Sequence, residues 1–193
     1  NKKNKDLIEL ASAIEAKTLC IITGGISHGE WTIGEARYEV LSQLSELADK
    51  SKNYGVKLGL EPIHPIDLHQ KGVINNVSSA IEVINKIPDL NIIIDFFHSW
   101  WDPDLISFID RYTDKLILIQ FCNTLEQNIN HKPFRELPLN GSIDIRMLIN
   151  KAKMSGYNGY FEFELFNKDL KGRSVESIIK KASEQFFRII NYE

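Results

Sequence analysis

The chain of 193 residues is 43% hydrophobic and 25% charged and has a formal net charge of −3, which is typical of an ordinary globular protein. Its lysines and arginines are scattered, which argues against nucleic-acid binding, since that needs a clustered basic face. The sequence has no apolar run of the roughly 18 residues that cross a bilayer, so we expect no membrane partner.

Apolar runs of strand length alternate with amphipathic segments of helix length along the chain. In order, the patterns predict a helix at 6–16, a strand at 19–23, a helix at 35–53, a strand at 56–60, a helix at 77–87, a strand at 91–94, a helix at 103–112, a strand at 116–119, a helix at 143–154, a strand at 160–165 and a helix at 174–190. Asp102 is predicted to cap the fourth helix, with Pro103 as its first residue.

Strand–helix repeats with near-continuous apolar strands predict an α/β protein with a parallel sheet covered by helices, in one domain spanning 1–193. An open doubly wound sheet and a closed β/α barrel both fit this pattern. The glycine-rich turn at 24–29 lacks the spacing of a nucleotide-binding fingerprint, so it lends the open sheet little support.

Four oxygen-bearing side chains fall at or near the ends of four predicted strands: Glu61, Asp95, Gln120 and Glu164. In a β/α barrel the carboxyl ends of the strands converge on the face that carries catalytic residues. Three carboxylates brought together would repel one another unless a cation were present. Mg²⁺ and Mn²⁺ prefer carboxylate and carbonyl oxygens, so the pattern favours a divalent metal site.

Each of these residues also has a structural interpretation. Glu61 and Asp95 could be turn or capping residues, and Gln120 could be a hydrogen-bonding core residue. Glu162 and Glu164 share one strand face by the two-residue period, and we expect Glu162, the deeper of the two, to be solvated or salt-bridged. The joint pattern favours the metal site over four separate structural roles.

The two cysteines, Cys20 and Cys122, lie far apart in apolar runs and lack the spacing of metal ligands. They are predicted to be buried free thiols in a reducing compartment, and we expect a cytoplasmic location.

Three segments resemble motifs of the sugar phosphate isomerase/epimerase family, the xylose isomerase-like barrels. They read LEPIHP at 60–65, DFFHSWWDP at 95–103 and GYNGYFEFELF at 156–166. The tryptophan pair followed by Asp-Pro is the most specific element. The resemblance runs in the family's order from about residue 19 to residue 166 and implies a (β/α)8 TIM barrel.

The resemblance also implies one divalent ion, held by Glu61, Asp95, Gln120 and Glu164. Gln120 stands where the family usually has histidine, and relatives of the hydroxypyruvate isomerase type are similar to this chain in having glutamine there. An amide oxygen in place of an imidazole nitrogen favours Mn²⁺ or Mg²⁺, with Zn²⁺ and Co²⁺ as alternatives, or it marks a weakened or lost site.

The resemblance further assigns substrate contacts to His64, His98, Arg135 and Trp100. The alternative for His98 is a loop histidine packed on Trp100, and the alternative for Arg135 is a solvated surface arginine. Glu136 and Leu137 depart from the small residues that the family has after this arginine. His28, His69 and His131 receive no role.

At most six strand–helix units are present, and the units that resemble barrel strands one and two are missing. Three explanations remain open: residues preceding Asn1, a shortened chain, or completion of the barrel by a partner subunit. The absence of an initial methionine favours the first two. Family relatives often associate, so the resemblance also implies that a homo-oligomer can form.

Two glutamates on one ion suit proton transfer beside a carbonyl group. The resemblance therefore implies an isomerase or epimerase of carbohydrate metabolism that acts on a small sugar, ketose or hydroxy-keto acid through an enediolate, with Glu61 and Glu164 as the two bases. A lyase or dehydratase on the same scaffold and a non-catalytic barrel that binds a small ligand are the alternatives. Related barrels that cut DNA at abasic sites need more histidine ligands and a positive groove, and this sequence offers neither, so we do not expect that activity.

Overall fold

The computed structural model describes residues 2–26, 31–125 and 133–191. They form two compact units, Asn1–Ile94 with Lys115–Leu118 and Asp95–Asp114 with Ile119–Glu193. None of the described helices is both long and apolar enough to cross a membrane.

The first unit carries most of the parallel sheet. Its elements in chain order are α1 (Lys2–Ala13), β1 (Thr18–Ile21), α2 (Ile33–Asn53), β2 (Lys57–Leu60), a 3₁₀ helix (Pro65–Asp67), α3 (Val77–Lys86), β3 (Leu90–Asp95) and the first half of β4 (Leu116–Phe121). The strand order is β1-β2-β3-β4, and the pairs β1–β2 and β2–β3 are parallel. The predicted parallel sheet is confirmed for these pairs.

Local sequence explains where these elements begin and how tightly they pack. Thr32 and Glu35 form a reciprocal capping box at the start of α2, which satisfies backbone donors that a helix leaves free. Gly59 of β2 lies where an added Cβ would come within 2.5 Å of the Cγ1 atom of Ile93. Only glycine therefore lets β2 approach the buried side chains of β3 this closely.

The second unit begins where β3 ends. Its elements are α4 (Phe96–Ser99), α5 (Leu105–Arg111), the second half of β4, β5 (Asn123–Leu125), β6 (Phe134–Glu136), α6 (Ile145–Met154), β7 (Tyr160–Phe163) and α7 (Val175–Ile190). Strand β7 neighbours β4 in the sheet, and β5 pairs with β6 in a separate antiparallel ribbon. Asp144 and Ser174 cap α6 and α7.

The ends of several elements differ from the sequence prediction. Helix α5 starts at Leu105, because Asp102 Oδ1 accepts a hydrogen bond from the backbone N–H of Asp104 and closes a turn before the helix. The predicted strand at 160–165 ends at Phe163, and the strand predicted to end at 119 continues to Phe121. Helix α4 and the β5–β6 ribbon were not predicted.

The prediction that both thiols are buried is right for Cys122 and wrong for Cys20, which is exposed. Cys20 lies on β1, which stands at one end of the sheet in the described strand order, and no residue of β1 is fully buried. An apolar run predicts a strand, but it does not predict whether both faces of that strand are covered.

Candidate active site

Asp95 is the last residue of β3 and the N-cap of α4, and its two carboxylate oxygens bind different partners. Oδ1 accepts a hydrogen bond from the backbone N–H of Phe97 at 2.9 Å and so caps α4. Oδ2 accepts a 2.6 Å hydrogen bond from Nη2 of Arg135. The side chain is fully buried. Asp95 therefore caps α4, as its structural interpretation expects, and is also a carboxylate of an internal charged cluster.

Arg135 is the centre of that cluster. Its Nη2 lies 2.6 Å from Asp95 Oδ2 and 2.8 Å from Glu164 Oε2, and its Nη1 donates to the sulfur of Cys122 at 3.4 Å. The guanidinium carbon lies 4.2 Å from the ring centre of Phe97. Only 3% of the residue is exposed, so the alternative of a solvated surface arginine is wrong. Burial opposes its charge, but the two carboxylates outweigh burial and raise the pKa of Arg135.

The β5–β6 ribbon determines where Arg135 lies. Arg135 pairs with Thr124 in the antiparallel register. The neighbouring Asn123 accepts hydrogen bonds from the backbone N–H groups of Thr124 and Ile143 and donates to the carbonyl oxygens of Pro138 and Ile143, at 2.8–2.9 Å. Asn123 therefore fixes the loop that follows Arg135.

The two residues after Arg135 hold this loop against the rest of its unit. Glu136 forms a 2.6 Å ion pair with Arg173. Burial would raise the pKa of the Glu136 carboxyl, but its hydrogen bonds from Arg173 and the backbone of Leu137 lower it below its usual value. Leu137 packs in a buried cluster with Ile178 and Ala182 of α7. Glu136 and Leu137 thus replace the small residues of the family because their side chains attach the loop to Arg173 and to α7.

Glu164 follows β7 and faces Arg135. Its backbone N–H donates to the carbonyl oxygen of Phe121 at 3.1 Å, which extends the strand pairing one residue beyond β7. Burial raises the pKa of Glu164 to about 7; Arg135 opposes this rise, and the nearby carboxylates of Asp95 and Glu162 add to it. Glu164 is therefore a carboxyl group that exchanges its proton near neutral pH.

Gln120 lies near the end of β4 and has one unsatisfied atom. Its Nε2 donates to Oε1 of Glu162 at 3.2 Å, and because a carboxylate only accepts, this contact fixes the orientation of the amide. Oε1 of Gln120 is buried and has no hydrogen-bond partner among the described residues. A buried carbonyl oxygen without a donor suits a cation ligand. Glu162 is exposed, as predicted, but it also positions Gln120.

His98 and Trp100 lie on and just after α4. His98 is 3% exposed, and its Nε2 lies 3.4 Å from Arg135 Nη2 and 3.9 Å from Asp95 Oδ2. Its ring meets Phe97 edge to face at 5.4 Å. Trp100 is 45% exposed. His98 thus belongs to the charged cluster, whereas Trp100 remains a predicted substrate contact.

Glu61 and His64 belong to the first unit, in the turn after β2. The backbone N–H of Glu61 donates to the carbonyl oxygen of Ile21, and its Oε2 accepts a 3.2 Å contact from the thiol of Cys20. His64 Nδ1 accepts from the backbone N–H of Ile66 and caps the 3₁₀ helix. Burial lowers the pKa of His64, and nearby Asp67 partly opposes this.

Four of the predicted residues therefore form one cluster in the second unit. Asp95, His98 and Glu164 surround the Nη2 nitrogen of the fourth, Arg135. Sequence reasoning missed Cys122 and Phe97 as neighbours of Arg135, and it missed Asn123 as the residue that holds the loop. Among the neighbours of the predicted site residues, Glu162 alone could be recognised from the sequence, because the two-residue spacing from Glu164 puts both side chains on the same face of the strand. His28 and His131 lie outside the described residues.

Comparison with known proteins gives a consistent group of relatives. The model of a protein family described as xylose isomerase-like TIM barrel matches residues 2–189. An inosose isomerase of Halalkalibacterium halodurans is 24% identical over 162 residues, which cover 81% of this chain and 56% of the relative. The chain thus spans about half the length of the curated relatives that it matches.

Solved structures share the fold. Protein SMc04130 of Sinorhizobium meliloti superimposes with a TM-score of 0.86 at 24% identity, over 97% of this chain and 70% of that one. The IolI protein, whose structure holds a zinc atom, gives a TM-score of 0.81 at 20% identity, over 98% of this chain and 68% of that one. At this identity the likeness establishes the fold.

Proposed function

Because the chain belongs to the xylose isomerase-like TIM-barrel family, we propose that it carries the metal and base residues of an isomerase or epimerase that acts on a small sugar, ketose or hydroxy-keto acid. One observation carries the proposal. Asp95 Oδ2 and Glu164 Oε2, which come from the ends of two different strands, both lie within hydrogen-bond distance of a single nitrogen of Arg135. Asp95 is fully buried and Glu164 is partly buried, and two carboxylates that converge in this way suit the oxygen ligation of a divalent ion.

The donor atoms fit a hard divalent ion. We propose Asp95, Glu164, Gln120 and Glu61 as its ligands, with Glu61 assigned on the family resemblance. All four offer oxygen, and the unpartnered Oε1 of Gln120 is a neutral donor held in place through Glu162. An all-oxygen set favours Mn²⁺ or Mg²⁺ over Zn²⁺, which more often takes nitrogen and sulfur.

The chain's own residues would move the proton. When bound, the ion supplies electrostatic stabilisation of negative charge that develops on substrate oxygens. Glu164 would take a proton from carbon and return it. In the metal-free protein burial raises its pKa to about 7, and a bound cation would lower that pKa again. Glu61 is proposed as the second base. Return of the proton to the same carbon would give an epimer, and delivery to the neighbouring carbon would give an isomer.

The remaining predicted residues are proposed as substrate contacts. Arg135 and His98 offer hydrogen-bond donors beside the carboxylates, and they suit a hydroxyl or carboxylate oxygen of the substrate. His64 and Trp100 keep the contacts that the resemblance implies.

Proton exchange into the substrate tests the function directly. The full-length protein is incubated with Mn²⁺ in D2O with a panel of ketoses and hydroxy-keto acids, and deuterium incorporation at carbon is followed by NMR. We expect exchange that a chelator stops and that Glu164→Gln reduces by about a hundredfold or more, the usual contribution of a general base. The exposed Glu176→Gln, on α7, is the matched control and should exchange like wild type.

Two results would overturn the proposal. Exchange that survives both the chelator and Glu164→Gln would remove the metal and the base from the reaction. Stoichiometric Mn²⁺ binding without exchange on any member of the panel would favour a barrel that binds a small ligand without catalysis.

A further inference from the structure

Arg135 Nη2 lies between two of the four proposed ligands, Asp95 and Glu164. It is 2.6 Å from Asp95 Oδ2, 2.8 Å from Glu164 Oε2 and 3.4 Å from His98 Nε2. A terminal guanidinium nitrogen carries two hydrogens, so its two short contacts use both. The carboxylates of Asp95 and Glu164 therefore already share one cation, and that cation belongs to the chain.

We propose that Arg135 is a built-in competitor of the metal ion, and that its guanidinium must leave Asp95 and Glu164 before an ion can bind both. This inference rests on the proposed metal site. An ion that bound Oδ2 of Asp95 and Oε2 of Glu164 together would occupy the space that Nη2 fills. One position between two carboxylates cannot hold a guanidinium nitrogen and a divalent ion at once.

The neighbours of the guanidinium suit such an exchange. Its carbon lies 4.2 Å from the ring centre of Phe97 and 5.0 Å from that of Phe166, so two aromatic rings stabilise the cation independently of the carboxylates. Its Nη1 contacts the thiol of Cys122, whose pKa is raised chiefly by burial and further by Asp95, so the thiol stays uncharged. The displaced guanidinium thus keeps partners within the cluster.

The competition has a thermodynamic consequence. Charge-assisted hydrogen bonds to buried carboxylates are among the stronger contacts in a protein, and the ion must replace two of them. The guanidinium therefore lowers the apparent affinity for the ion, while in the metal-free protein it compensates the charge of the buried Asp95 and of the partly buried Glu164. Removing Arg135 should separate these effects: weaker folding without metal and tighter metal binding.

The test is Mn²⁺ titration, followed by electron paramagnetic resonance at pH 8, of wild type, Arg135→Met and Arg135→Lys. We expect Arg135→Met to bind Mn²⁺ about tenfold or more tightly than wild type, a change equivalent to about 1.4 kcal/mol. Arg135→Lys, which keeps a cation, should stay nearer to wild type. Arg111→Met is the matched control: it removes an exposed arginine of the same unit, whose guanidinium bonds to Ser107 of its own helix, and it should leave Mn²⁺ affinity within about twofold.

A measurement on wild type covers the case in which Arg135→Met fails to fold. The side-chain resonances of Arg135, assigned by their loss in Arg135→Lys, are followed as Mg²⁺ is added. We expect these resonances to shift with the same midpoint as metal binding. Rotation of the guanidinium group, which the two carboxylate contacts slow in the metal-free protein, should become faster. The Arg173 resonances should stay in place.

The outcomes separate the two proposals. Equal or weaker Mn²⁺ binding by Arg135→Met, or Arg135 resonances unchanged at saturating Mg²⁺, would overturn the competitor while leaving the metal site. Absence of Mn²⁺ binding in wild type and in every variant would overturn the metal site itself, and the competitor with it.

Discussion

Glu164 illustrates how one residue can be held between two charge states. Burial and the neighbouring carboxylates of Asp95 and Glu162 favour its protonated form, whereas Arg135 favours its ionised form. Burial prevails, and the pKa rises from 4.5 to about 7. A group with this balance is suited to proton transfer, but it costs stability at a pH where it must ionise inside the fold.

The stability of the metal-free protein should record this cost. A carboxyl whose pKa is higher in the folded state stabilises the protein fully below its unfolded pKa of 4.5, and that contribution is lost as pH rises through the folded value of about 7. We therefore expect the stability of wild type relative to Glu164→Gln to fall between these two pH values. Urea unfolding of chelator-treated protein at half-unit pH steps measures the difference.

The exposed Glu176→Gln serves as the control, and its stability relative to wild type should change far less over the same range. A difference between wild type and Glu164→Gln that stays constant, or that moves in favour of wild type as pH rises, would contradict the raised pKa.

Individual residues also show what sequence can and cannot reveal. Asp95, Gln120 and Glu164 are predicted as ligands because they lie at or near the ends of apolar strands, and strand ends are visible in the hydrophobic pattern. The burial of Arg135 was not predictable in this way, since an arginine in a polar loop is most often solvated. Its environment depends on Phe97, Cys122 and carboxylates distant in sequence, which no local pattern reports.

At the scale of elements, the β5–β6 ribbon supports the site. Its strands have three residues each, too few for the alternation that predicts a strand. Helix α4 has four residues and was missed for a similar reason. The longer helices and β1–β4 were predicted to within a few residues, because their periodicity extends over several turns or a full apolar run.

Asn123 is the residue on which the ribbon and its loop depend. Replacing it with alanine would leave buried backbone groups of Thr124, Pro138 and Ile143 without their hydrogen-bond partner. Since each such group costs about 1–3 kcal/mol, we expect Asn123→Ala to lower the free energy of unfolding by about 2–4 kcal/mol. Chemical denaturation of the two proteins measures the change.

Asn91→Ala is the matched control, because the two hydrogen bonds from the Asn91 side chain to backbone oxygens of the described residues are long, 3.4 Å and 3.5 Å. It should lose less than about 1 kcal/mol. Equal losses for the two variants would mean that the hydrogen bonds of Asn123 do not hold the loop.

At the scale of the whole molecule, the motifs at 60–65, 95–103 and 156–166 resemble those of the barrel family, and the family match over residues 2–189 confirms that resemblance. The alternation of strands and helices alone predicts a parallel sheet covered by helices and leaves the open sheet and the closed barrel as alternatives. The pattern predicts this much because parallel strands buried on both faces have a distinctive apolar run. Substrate identity is set by loops, where composition follows solvent exposure and leaves no comparable pattern. The chain spans about half the length of its curated relatives. Isomerase or epimerase activity is therefore proposed from the carboxylates and Arg135 of this chain, and not from the names of those relatives.

Metal binding should stabilise the molecule as a whole, because a ligand that binds only the folded state shifts the folding equilibrium. At an Mn²⁺ concentration about a hundred times the dissociation constant, we expect the free energy of unfolding to rise by about 2.7 kcal/mol. For a chain of this size that corresponds to about 5–10 °C in the thermal midpoint, measured by calorimetry with Mn²⁺ and with chelator.

Asp95→Asn tests whether this stabilisation passes through the proposed ligands. Asparagine can still cap α4 through its side-chain oxygen but lacks the charge that faces Arg135, so the rise with Mn²⁺ should disappear. Asp114→Asn, at an exposed position, should keep the full rise. An unchanged rise in Asp95→Asn would place the ion elsewhere in the protein, and no rise in wild type would leave Arg135 as the cation that Asp95 and Glu164 share.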